Sequence, residues 1–95
     1  MSEKIQRAMR RITSKSTKLS TKIINTNLLL LETKDDLGNS ETLKYLAGQL
    51  DKCDLDFVTE KHLSELTPID LVTINEFIYY SEYYCELTRK MYGLK

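Results

Sequence analysis

Asp51, Cys53, Asp54, Asp56, Glu60 and His62 place six side chains able to hold a metal or move a proton within twelve residues. Closely spaced oxygen donors suit Ca²⁺, and Cys with His suits Zn²⁺. The stretch lacks the central glycine of an EF-hand loop, and one Cys with one His falls short of a zinc set. A polar loop that carries helix caps explains the same residues, so no metal and no cofactor is expected. His62 is the only histidine in the chain. No glycine-rich phosphate loop, nucleophile elbow or carboxylate pair in an apolar setting accompanies it. The chain is therefore expected not to be an enzyme and to have no catalytic residue.

The second chemical feature is charge. From Lys4 to Lys22 there are seven basic residues and no acid. Residues 1–31 carry a net +6 and residues 32–95 a net −6, in a chain whose formal net charge is zero. On a helix, Lys4, Arg7, Arg11, Lys15, Lys18 and Lys22 fall within an arc of roughly 80°. Ser14, Ser16, Thr17, Ser20 and Thr21 flank them. Such a stripe suits contact with a phosphate backbone, which gives affinity without sequence reading. It also suits an anionic membrane surface, or neutralisation by the acidic remainder of the same chain. The Arg- and Ser-rich start has the composition of a mitochondrial presequence. Glu3 and an apolar seam that runs straight through the region argue against a cleaved peptide.

The third feature is aromatic. Tyr79, Tyr80, Tyr83 and Tyr84 lie within six residues, with Glu82 and Glu86 among them. On a helix Tyr80 and Tyr84 join an apolar seam, while Tyr79 and Tyr83 sit together on a flank. Tyrosines beside carboxylates are a good composition for gripping a basic protein partner. The plainer reading packs all four in a core or dimer interface with their hydroxyls at its rim.

These groups need elements to carry them. With one proline, three glycines and many helix formers, the chain reads as all-α and as one domain over residues 1–95. Ile5, Met9, Ile12, Ser16, Leu19, Ile23, Thr26, Leu30, Thr33 and Leu37 recur at spacings of 4 and 3. That seam predicts one long helix over about 2–37, packed along another long helix. Ser40 predicts the cap of a short helix whose inner face is Leu43, Leu46, Ala47 and Leu50. Thr59 predicts the cap of a second short helix through Leu66. Thr67, Pro68 and Asp70 form a capping-box start for a last long helix over 68–92, closed by Gly93. The expected architecture is thus two long antiparallel helices joined by two short ones, bundle- or coiled-coil-like.

On the last helix Phe77, Tyr80, Tyr84, Leu87 and Met91 form a seam. Ile74, Ile78, Cys85 and Tyr92 lie on one side of it, and Val72, Tyr83 and Leu94 on the other. An arc that wide wants neighbours on several sides, which predicts a homodimer. No apolar run is long enough to span a bilayer, and the start has no apolar signal region. Two cysteines without CxxC spacing fit a reducing, cytoplasmic setting. The functional expectation is a small intracellular adaptor, inhibitor or assembly factor that binds another protein through Tyr79, Tyr83, Glu82 and Glu86. The alternative is a nucleic-acid binder that uses the basic stripe without reading sequence.

Overall fold

The computed structural model describes residues 3–53 and 55–93, with the side chains at 56, 57 and 63 left aside. Asp54, Leu94 and the side chain of Asp56, all named above, lie outside the described set. All regular structure among the described residues is helical: α1 Glu3–Thr13, α2 Leu19–Thr33, α3 Glu41–Lys52, α4 Asp56–Thr59 and α5 Pro68–Met91. Tight 3₁₀ turns at Lys34–Asn39 and Leu63–Glu65 complete the path. No helix among these residues is long and apolar enough to cross a membrane.

The single helix expected over 2–37 is instead a hairpin of two. A helix over those residues would be roughly 50 Å long. The whole molecule measures 42 Å along its longest axis. The chain leaves the helix at Ser14 and re-enters it at Leu19, with Lys18 extended (φ −64°, ψ 151°). The cause is a run of hydroxyl side chains that compete for hydrogen bonds with the backbone. Thr13 Oγ1 donates to the Met9 carbonyl at 2.9 Å, and the Ser14 and Ser16 hydroxyls meet at 3.0 Å. Folding back lays the apolar stripe of α1 (Ile5, Ala8, Met9, Ile12) on α2. Lys4 Nζ reaches Glu32 at 3.2 Å, which sets the start of α1 beside the end of α2 and makes the pair antiparallel.

The buried face of α2 is largely polar: Lys22, Asn25, Thr26, Leu29 and Thr33. It is tolerated because its polar groups bond one turn back. Asn25 Nδ2 donates to the Thr21 carbonyl, Thr26 Oγ1 to that of Lys22 and Thr33 Oγ1 to that of Leu29, at 2.7–2.8 Å. Among the described residues no buried side-chain nitrogen or oxygen lacks a hydrogen-bond partner.

α3 starts as expected, with Ser40 Oγ accepting from the Leu43 amide at 3.2 Å, and it buries Leu43, Leu46, Ala47 and Leu50. Thr59 does not cap the next segment. It is the last residue of α4, and only a 3₁₀ turn follows before α5. The start of α5 is a full capping box. Thr67 Oγ1 accepts from the Asp70 amide at 3.1 Å, and Asp70 Oδ2 accepts from the Thr67 amide at 3.0 Å. Lys61 Nζ adds an ion pair to the same oxygen at 2.7 Å. α5 ends at Met91, and Gly93 adopts φ +68°, the left-handed geometry that glycine enters without strain. α5 packs on α3 and α1 and buries Phe77, Ser81, Tyr84, Cys85 and Thr88. Most of its wide apolar arc is thus covered within the chain.

Two predictions follow from this packing. The Tyr84 and Thr33 hydroxyls meet in the core, and Thr33 already donates to Leu29, so Tyr84 is the donor between them. Thr33→Val strands a buried phenol and should cost about 1–3 kcal/mol in urea unfolding. Tyr84→Phe leaves only an unmet lone pair and should cost less, about 1 kcal/mol. Equal or reversed costs would contradict the assignment. Asp70 is held below its ordinary pKa of 3.8, first by the hydrogen bond from Lys61 and then by the Thr67 amide. A carboxyl lowered in the folded state stabilises above 3.8, and that contribution is lost as pH falls through the folded value. Asp70→Asn should therefore lower the midpoint of thermal unfolding at neutral pH. The gap to the parent should narrow as the pH falls below 3.8 and close only below the lowered, folded value.

Candidate functional site

The tyrosines separate by face. Tyr84 is fully buried and Tyr80 half-buried, whereas Tyr79 is 60 % and Tyr83 38 % exposed. The exposed pair continues a strip along α5 opposite its buried face. Ile69, Val72, Glu76, Tyr79 and Tyr83 follow one another at spacings of 3, 4, 3 and 4, and all are exposed. Glu82 and Glu86, also exposed, border the strip on one side. On the other side lies a cleft of about 310 Å³ between α5 and α3, lined by Thr42, Tyr45, Leu46, Tyr79, Tyr80 and Tyr83.

The rings brace one another. Tyr79 meets Tyr80 edge-on with centroids 5.5 Å apart, and meets Tyr83 edge-on at 6.1 Å. Edge-to-face pairs at such distances hold rings in place at little entropic cost. Desolvation raises the Tyr80 pKa above its ordinary value, and Tyr45 and Glu76 add to that effect. The Tyr80 hydroxyl therefore stays protonated at neutral pH and can donate a hydrogen bond. Glu86 pairs with Lys90 one turn on at 3.6 Å, while Glu82 has no ion-pair partner among the described residues. The outer face of α5 thus joins apolar ring faces and phenolic hydroxyls, with the cleft on one side and an acidic border on the other. Tyr45, 58 % exposed, is the member that the sequence reading missed. Its signal was an aromatic residue set off the Leu43–Leu46–Leu50 face of a short helix.

The six stripe residues do not share one face once the helix is broken. Lys4 pairs with Glu32, and Arg7 with Glu3 at 3.9 Å. Lys22 is buried along the packed side of α2. Arg11, Lys15 and Lys18 remain exposed at the hairpin end, joined there by Arg10. The acids that meet Lys4 and Arg7 thus come from within the hairpin.

Of the loop cluster, Cys53 is half-buried, and Asp51, Glu60 and His62 are exposed. Among the described residues no three His, Cys, Asp or Glu side chains converge as a metal set would. Burial pushes the Cys85 thiol up to about 12. Cys53 is raised too, by its partial burial and then by Glu76. A thiol reagent should therefore modify Cys53 slowly in the folded protein. It should reach Cys85 only as fast as the chain opens, which mass spectrometry of the modified protein resolves. The stability that comes from keeping Cys85 protonated is complete below its ordinary 9.0 and is lost as pH rises toward about 12. Equal modification rates for the two cysteines would contradict this packing.

No family model, no curated protein and no solved structure matches this chain.

Proposed function

We propose that this chain is a small non-catalytic interaction protein, an adaptor, inhibitor or assembly factor of the cytoplasm. It docks a helix of a partner protein on the outer face of α5. The observation that carries this reading is the exposed strip Ile69–Val72–Tyr79–Tyr83, beside a cleft that adds Tyr45. Heptad spacing on an exposed face offers the seam that a second helix needs. Tyrosines are frequent anchors of such contacts, because they bring large area and a polar tip with few rotatable bonds. Glu76 within the strip and Glu82 and Glu86 beside it bring negative charge, so the partner helix carries Lys or Arg with its apolar seam. Self-association belongs to the same proposal, as a way for one molecule to present this face twice.

A nucleic-acid role for Lys4, Arg7, Arg11, Lys15, Lys18 and Lys22 has less support. The ion pairs of Lys4 and Arg7 and the burial of Lys22 leave a small basic tip in place of a long stripe.

Selection of displayed helical peptides against the folded protein tests the reading. Enriched sequences should combine an apolar seam with basic flanks. Truncating one aromatic anchor, Tyr79→Ala or Tyr83→Ala, should weaken a selected peptide by about 2 kcal/mol, roughly thirtyfold, with the helical circular dichroism unchanged. Glu82→Lys with Glu86→Lys should weaken it mainly at low salt. If the chain instead binds a mixed-sequence duplex at low salt, and Arg11→Glu with Lys18→Glu abolishes that binding, the basic tip is the functional surface and this proposal fails.

A further inference from the structure

The cleft between α5 and α3 has aromatic rings on both of its sides. Tyr79, Tyr80 and Tyr83 come from α5 and Tyr45 from α3, with Thr42 and Leu46 completing the lining. The α5 rings are not stacked flat. Tyr79 stands at 73° to Tyr80 and at 71° to Tyr83. Four rings thus line a space of about 310 Å³, and those of α5 are turned in different directions.

An aromatic ring carries negative charge on its face, so a cation near several rings is held by each of them. The contact is favourable within about 6 Å of a ring centroid. Centroids 5.5 and 6.1 Å apart are close enough for one cation to lie within that range of neighbouring rings. The local charge agrees. Glu76 precedes Tyr79 and Tyr80 by one helical turn, is exposed, and has no ion-pair partner among the described residues. After desolvation, the causes that raise the Tyr80 pKa are Tyr45 and then Glu76, which puts these three side chains together. None of the six lining residues is a base. Lys44, next to Tyr45 in the chain, pairs with Glu41 at 3.3 Å.

The type of cation follows from what the walls offer. A lysine ammonium has three N–H donors and a guanidinium five, and each donor needs an acceptor once water is removed. The walls are mainly ring carbon and Leu46, with the tyrosine and Thr42 hydroxyls as acceptors. A quaternary ammonium has no donor to satisfy, and its methyl groups carry the charge onto the ring faces. The outer strip of α2, where Ile24, Asn27 and Leu31 are exposed, has no charged residue between these positions and selects no such ligand.

We propose that the tyrosine cleft is an aromatic cage for a quaternary ammonium, the side chain of a trimethylated lysine on the basic partner helix. This site rests on the reading of α5 as a docking face and deepens it, because the cage opens beside the strip on which the partner helix lies.

Amide NMR of the full chain titrated with N-acetyl-trimethyl-lysine methylamide is the test. The probe should shift Thr42, Tyr45, Tyr79 and Tyr83. It should bind about tenfold more tightly than its neutral isostere, in which carbon replaces the quaternary nitrogen. The unmodified lysine amide should also be about tenfold weaker. Tyr45→Ala should abolish binding with unchanged circular dichroism. Tyr45→Phe should leave it within about twofold, because the ring face makes the contact. Glu76→Gln should weaken the charged probe about threefold and leave the isostere unaffected. A spectrum that the probe leaves unchanged, or equal binding of probe and isostere, overturns the proposal. So does equal binding of methylated and unmodified lysine, which would make the contact an ordinary ion pair. Choline binding more tightly than the lysine derivative overturns the assignment to a partner's side chain. The docking reading fails separately. Selected helical peptides that bind equally well with norleucine or trimethyl-lysine at every position retain docking and remove the cage. A chain that binds the trimethyl-lysine amide but selects no helical peptide retains the cage and removes the helix.

Discussion

The contact between Tyr84 and Thr33 holds the long helix of this protein in register with the hairpin. Both residues are fully buried, one from α5 and one from the end of α2. A phenol sealed from water needs an acceptor, because an unmet donor costs about 1–3 kcal/mol. Thr33 supplies it, and its own proton goes to the Leu29 carbonyl, so the chain of donors ends on the backbone. Further along α5, Tyr92 donates to Asp36 in the turn that follows α2. The C-terminal half of α5 is thereby tied to one place on α2, while the capping box and Lys61 tie its start. With these faces committed inward, the opposite faces of both helices are forced out, and these two faces carry the exposed apolar strips.

The hairpin explains how a chain this small closes a core with so many hydroxyls. A threonine that bonds its own i−4 carbonyl behaves toward its neighbours almost as a valine, since its polar capacity is spent locally. Thr26 and Thr88 both do this while fully buried. The hydroxyls of Ser14 and Ser16 bond each other and lie where the helix stops. The same residue types therefore build the core in one place and end a helix in another. The difference is whether a neighbouring helix shields the backbone hydrogen bonds they compete for.

The parts of the fold that could be read from the sequence are those with local causes. The start of α5, the Ser40 cap and the inner face of α3 depend on residues within one or two turns, and all three stand as expected. The break at Ser14–Lys18 was not legible from periodicity. A spacing of 4 and 3 continues numerically through a short connection, so one long helix and an antiparallel hairpin give the same pattern. The clue lay in composition, in the hydroxyl run of Ser14, Ser16 and Thr17. The outward strips were hidden for a related reason. In Leu28–Leu31 every residue is apolar, and only tertiary packing decides that Leu29 turns inward while Leu31 is exposed. Tyr79 and Tyr83 were assigned to a flank from the helical wheel, whereas Tyr45 needed the position of α3 beside α5.

Together these features describe a small helical scaffold that leaves two apolar strips exposed, an uncharged one on α2 and an acid-bordered aromatic one on α5. The amide NMR spectrum of the chain titrated with a basic, amphipathic helical peptide tests the proposed use of the aromatic strip most directly. Docking on α5 predicts shifts centred on Tyr45, Tyr79 and Tyr83. Shifts centred on Arg10, Arg11, Lys15 and Lys18, or a spectrum that the peptide leaves unchanged, would contradict it.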